Sequence, residues 1–157
     1  NFNNIMRGES PLPNKERIAT SADWDIEPMP ESKEETSTIK LAILISEEAM
    51  AILRKGHIPE AQEDHWFMYC DDEYIRYYRS WTGMCAFVAH YHKEGEVYFI
   101  DELTINHALA EFGVNGDEAG GELFRYLLTA EIGGDAAGAW QDYIDAWDEL
   151  DRLYNKS

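Results

Sequence analysis

The chain has 157 residues, 45% of them hydrophobic and 13% aromatic, which suffices for one domain with a real core and excludes disorder over most of its length. Its 31 acidic and 13 basic residues give a formal net charge of -18. That charge repels phosphate backbones and anionic membranes, so sequence-independent nucleic-acid binding, which needs a basic footprint, is excluded as well.

An acidic surface keeps a protein solvated, and that is the simplest use of the charge. The sharper use is a basic protein partner, or mimicry of DNA charge toward a DNA-binding protein. Cys70 and Cys85 are too few for a disulfide framework and sit in apolar, strand-like runs. They read as free buried thiols, which suits a reducing cytoplasm. No apolar run approaches the ~20 residues of a membrane helix. No signal peptide is visible, and the start at Asn1 leaves room for a longer parent chain.

Residues 1-39 read as a flexible, acidic, Pro-rich arm. Pro11, Pro13, Pro28 and Pro30 and the polar run Glu31 to Thr38 oppose a regular core element. Trp24 and Ile26 are the residues that could clip the arm onto the rest. Residues 40-157 read as a single α+β domain. Lys40 to Ile45 is a short apolar run of strand character. Ser46 is a helix N-cap, followed by Glu47 and Glu48 in the first turn and Gly56 at the end.

The centre reads as an antiparallel meander of about four strands: His65 to Cys70, Tyr74 to Trp81, Met84 to His92 and Glu96 to Ile100. Asp71-Asp72-Glu73, Thr82-Gly83 and Lys93-Glu94-Gly95 are its turns. The end reads as three helices packed on one sheet face. Thr104 caps the first, where Ile105, Ala108, Leu109 and Phe112 share a stripe. The second runs from about Asp117 to Ile132. Asp135 caps the third, with Trp140, Tyr143, Ile144, Trp147 and Leu150 aligned. These stripes have the pattern of core rather than of a cofactor box.

His65, Trp66, Arg79, Ser80, Trp81 and Thr82 form the densest group of chemically interesting residues. A three-residue turn at Asp71 to Glu73 sets His65 opposite Arg79, and a two-residue turn sets Trp66 there. Either register gathers an imidazole, a guanidinium, two hydroxyls and two indoles at one end of adjacent strands. Arg79 could fork onto a phosphate or carboxylate while Trp66 or Trp81 stacks on a ring. The plain alternative is an Arg79 paired with a local carboxylate and lying on Trp81 as a cation–π contact.

His90 and His92 point the same way in a strand, which is half of a zinc or iron site, and Asp101 or Glu102 could supply oxygen. A lone H-x-H is more often a polar strand face, so no metal and no cofactor is assigned. Asp101 and Glu102 also serve as ordinary cap residues between strand and helix. Cys70 and His65 lie ~17 Å apart along a strand, too far for a thiol–imidazole pair. There is no nucleophile elbow, P-loop, H-E-x-x-H or dinucleotide fingerprint.

Asp64-His-Trp-Phe-Met-Tyr69 followed by Tyr78-Arg-Ser-Trp-Thr-Gly83 resembles a small uncharacterised bacterial and phage domain family. Its pattern is H-W-F-x-Y, then R-S-W-T-G, then a further strand, and its neighbours include ADP-ribosylglycohydrolases. The resemblance covers the meander and neither the arm nor the helical end. It implies that Trp66, Arg79, Trp81 and Thr82 form a shared site or a shared core, and by association it suggests nucleotide or ADP-ribose chemistry. The leading expectation is a cytoplasmic module binding a small phosphorylated, nucleotide- or ADP-ribose-like ligand. The alternatives are a hydrolase of such conjugates, with His65, Asp101 or Glu102 as acid or base, and an acidic module that binds or inhibits a basic protein.

Overall fold

The computed structural model describes residues 18–62 and 64–133. They form an α+β fold built on a five-stranded antiparallel sheet. Its strands are β1 (Thr36–Ile45), β2 (Trp66–Cys70), β3 (Tyr74–Arg79), β4 (Cys85–Glu94) and β5 (Val97–Asn106). Helix α1 (Glu47–Lys55) joins β1 to β2, and α2 (Gly116–Gly133) follows β5. The spatial order is β1-β5-β4-β3-β2. The meander expected from the turns is therefore β2 to β5, and β1 adds a fifth strand beyond the expected four.

Local chemistry sets these elements. The Ser46 hydroxyl accepts from Ala49 N at 3.1 Å and caps α1, which Gly56 ends. Asp71 Oδ1 accepts from the amides of Glu73 and Tyr74 at 2.9 and 2.8 Å, folding the β2–β3 turn around one carboxylate. The β4–β5 hairpin turns through Gly95 and Glu96, between the paired Glu94 and Val97.

Side-chain alternation divides the sheet into two faces. Ile75, Tyr77, Phe87, Ala89, Tyr91, Ile100 and Leu103 face the helices and meet Met50 and Leu53 of α1 and Leu123, Phe124 and Leu127 of α2. Phe124 meets Tyr77 and Phe87 edge-on, with centroids 6.0 and 5.6 Å away. A Cβ at Gly120 would stand 3.0 Å from the Ile105 side chain, so α2 lies as close to β5 as a backbone can. On the other face Phe67, Tyr78 and Cys85 are covered by Ala19, Trp24, Ile26 and Met29. The rear of the expected flexible arm is thus part of the fold, and β1 begins at Thr36, inside that segment.

The helix expected from Thr104 is not formed. Thr104 and Ile105 belong to β5, where they pair with β1 through Thr38 and Ser37 and with β4 through Val88 and Phe87. Two flanking strands outweigh a helical spacing of apolar residues, and β-branched side chains suit the pleat. Asn106 then caps a 3-10 helix, His107–Phe112, by accepting from Ala108 N at 2.9 Å. The third expected helix, from Asp135, lies outside the described residues, as does residues 1–17 of the arm. No helix among the described residues is long and apolar enough to cross a membrane.

Candidate functional site

The β2–β3 register sets Trp66 opposite Arg79, the outcome of a two-residue turn. Both belong to the helix-facing side, and they are 2% and 7% exposed. The guanidinium carbon of Arg79 lies 5.2 Å from the Trp66 ring centroid and 4.7 Å from that of Phe112. The cation–π contact expected at Trp81 is therefore made with Trp66 and Phe112 instead. Burial lowers the Arg79 pKa to about 10, which leaves it protonated at neutral pH.

Beyond Arg79 the chain turns outward. Trp81 is 69% exposed, and its Nε1 donates to the Gln62 carbonyl at 2.9 Å. The His65 ring lies beside it, with centroids 6.0 Å apart. Ser80 Oγ donates to the Asp64 carbonyl at 2.9 Å, and Thr82 Oγ1 accepts from Met84 N at 3.2 Å. Both hydroxyls are thus engaged by the backbone. The arm locks the loop from outside: Trp24 Nε1 donates to the Ser80 carbonyl at 2.9 Å, and Glu27 N donates to the Gly83 carbonyl at 2.8 Å. Gly83 has φ +75°, and a Cβ there would fall 2.2 Å from the Asp25 carbonyl oxygen. Only glycine permits both the turn and the crossing of the arm.

The six expected site residues are therefore divided. Trp66 and Arg79 lie beneath the helices, and Ser80, Trp81 and Thr82 form the outer loop, with His65 against Trp81. Trp24, Pro59, Gln62, Ser80 and Trp81 line a shallow groove of about 290 Å³.

One cluster escaped the sequence reading. His57 follows the α1 cap and bridges the edge of β2 through two backbone hydrogen bonds with Met68, at 2.8 and 2.9 Å. Its Nε2 lies 2.7 and 2.6 Å from the two oxygens of Asp64, and its Nδ1 lies 3.6 Å from Glu131 Oε1 in the last turn of α2. Burial raises the Glu131 carboxyl to about 7, opposed by the His57 charge. Burial works against the His57 imidazolium too, but the Asp64 hydrogen bond and the Glu131 charge outweigh it and raise its pKa. With a carboxylate at each nitrogen, His57 ties β2 to α2. Nothing in the spacing of residues 57, 64 and 131 announces this.

At the other end of the strands, His90 and His92 share the face away from the helices. A bulge leaves Asp101 as an extra β5 residue between the pairs His90↔Glu102 and Tyr91↔Ile100. Asp101 Oδ1 lies 2.8 Å from His90 Nδ1, and its Oδ2 lies 2.6 Å from His92 Nδ1. The hydrogen bond between Asp101 and His92, and the one between Glu94 and His92, raise the His92 pKa. Asp101, of the two candidates, faces the imidazoles, while Glu102 pairs with Lys40 at 3.5 Å.

Both cysteines are free, and burial raises each thiol to about 12. The Cys70 thiol donates to the Leu53 carbonyl at 3.2 Å, away from His65. Comparison of the chain with protein-family models, curated proteins and solved structures finds no match.

Proposed function

We propose that the chain is a protein-interaction module that presents Trp81 from an acidic surface to a basic partner. The observation that carries this reading is an indole 69% exposed on a loop held by hydrogen bonds from two directions. A large apolar ring left in water has much to gain from burial, and Trp is enriched among residues that dominate interface energy. Because the Trp81 N–H is already bonded to Gln62, the outward ring demands no polar partner. Arm and loop fix its position before binding, which lowers the ordering cost of association. Asp25, Glu27 and Glu60 are exposed around the loop, and a partner's Lys or Arg could pair with them or lie over the ring.

A second reading is a small ring-bearing ligand, phosphorylated or not, stacked in the groove of about 290 Å³ between Trp24 and Trp81. A phosphate on such a ligand would meet acidic side chains at this surface, since Arg79 lies on the helix side. For the hydrolase alternative, with His65, Asp101 or Glu102 as acid or base, His65 stands against Trp81, Asp101 is bonded to His90 and His92, and Glu102 pairs with Lys40.

The test is affinity capture from the source cells on immobilised parent chain and on Trp81→Ala. A basic protein retained by the parent, lost with Trp81→Ala and released as salt rises from about 0.1 M to about 1 M, is the expected result, because the Debye length falls from roughly 10 to 3 Å. Identical protein sets on both columns would overturn the reading. A thermal shift with nucleotides or ADP-ribose that vanishes in Trp81→Ala would favour the ligand reading.

A further inference from the structure

We propose that His90, His92 and Asp101 bind one divalent first-row transition-metal ion. The three offer one ligand atom each, all within 4.8 Å of one another. Tetrahedral zinc with bonds of 2.0 to 2.1 Å needs donor atoms roughly 3.3 Å apart. The two Asp101 contacts at 2.8 and 2.6 Å must therefore open slightly within a group that already spans no more than 4.8 Å, a change that rotamer adjustments can supply. Two imidazoles and one carboxylate suit Zn²⁺ or Fe²⁺ rather than Mg²⁺ or Ca²⁺, which prefer oxygen alone. The three side chains are 33%, 42% and 34% exposed, so an ion can reach them from solvent. Three protein ligands also leave a coordination position open.

The far side of each ring strengthens the case. Metal-bound histidines characteristically direct their second nitrogen at a carboxylate, which fixes the ring and raises its basicity. Here Nε2 of His92 lies 3.3 Å from Glu94, and Nε2 of His90 lies 3.9 Å from Glu73. Both Nδ1 atoms converge on Asp101, leaving Nε2 to carry the ring proton when metal binds. Ring packing holds the orientation: His92 stacks on Phe99 at 5.9 Å, and Tyr74 meets His90 edge-on at 5.3 Å. The β5 bulge is what aims Asp101 between the two rings. The net charge of -18 adds long-range attraction for a dication.

The experiment is titration of the chelator-treated full chain with ZnCl₂ by calorimetry, and with CoCl₂ by visible absorption. One equivalent of Zn²⁺ is expected, with Co²⁺ developing the visible bands of low-symmetry nitrogen and oxygen coordination. His90→Asn, His92→Asn and Asp101→Asn should each weaken binding by more than roughly a hundredfold, and Glu94→Gln by roughly tenfold. His107→Asn, whose ring bonds to Ser37 instead, should bind as the parent does. Circular dichroism establishes that each variant is folded. If Glu94→Gln leaves affinity unchanged but the three ligand variants remain folded and lose it, the site still stands with its outer carboxylate misassigned. Absence of saturable binding in the parent, or binding indifferent to the three folded ligand variants, overturns the proposal.

Discussion

His57 Nε2 contacts both oxygens of Asp64, at 2.7 and 2.6 Å, while Nδ1 of the same ring faces Glu131 at 3.6 Å. One imidazole thereby joins the segment before β2 to the end of α2. The cost is a largely desolvated carboxyl whose pKa rises from 4.5 to about 7. A raised folded-state pKa means the native chain binds more protons than the unfolded chain in that window. Its stability contribution is present below pH 4.5 and is lost as pH rises through about 7. The raised His57 pKa acts with the same sign at higher pH. At 1.36 kcal/mol per pKa unit the Glu131 contribution is at most ~3 kcal/mol. Urea melts at several pH values should therefore show stability falling between pH 5 and 8 more steeply in the parent than in Glu131→Gln. Parallel slopes would refute this assignment.

Arg79 and Trp81 are two residues apart and should behave as opposites. Arg79→Ala strips a buried guanidinium from between Trp66 and Phe112 and should cost about 3 kcal/mol in urea unfolding. Trp81→Ala, removing an exposed ring, should cost within about 0.5 kcal/mol. A costly Trp81→Ala would mean the ring is covered in solution.

The arm is held where its backbone crosses Gly83 and where Trp24 stacks on Phe67 at 5.9 Å. Gly83→Ala puts an L-residue at positive φ, worth about 1–2 kcal/mol, and adds a collision with the Asp25 carbonyl. Trp24→Ala removes the stacking and the bond to Ser80, for about 2 kcal/mol. Limited proteolysis should cut both variants faster between residues 18 and 30 than it cuts the parent. Equal protection in all three would show that the arm is held elsewhere.

Neither thiol should react with a disulfide reagent at pH 8 while the chain is folded, since both stand at about 12. In denaturant, two equivalents should react promptly. One fast equivalent in the native state, from the half-buried Cys70, would contradict the burial described for its thiol.

The meander was legible because its turns carry their own chemistry, with Asp71 folding one and Gly95 another. Ser46 announced α1 in the same way. The first half of β1 was hidden because Thr36 to Lys40 sits in a polar run beside prolines, and its inward residues Ile39, Leu41 and Ile43 gain meaning only beside β5. Thr104 and Ile105 were misread because a helical apolar spacing continues past the true strand end. Of the candidate site, the meeting of Trp66 with Arg79 followed from one of two turn lengths. That it lies beneath helices did not follow, because strand alternation does not say which face the helices cover. The Asp101 bulge and the His57 cluster depend on contacts between elements far apart in the chain.

The order β1-β5-β4-β3-β2 has a consequence for synthesis. Four strands are joined by short hairpins and can pair as each leaves the ribosome. β1 is the first of the described strands to emerge, but its strand partner among them is β5, and Thr38 waits for Thr104, 66 positions later. The loop that closes is the longest in the sheet and carries its largest closure entropy, so the β1–β5 pairing is expected to follow the three hairpins. A nascent chain halted before Val97 lacks the described strand that pairs with β1. The earliest of the described strands to be made is thus the last to gain its partner, and until β5 arrives its backbone N–H and C=O groups are open to other strand edges.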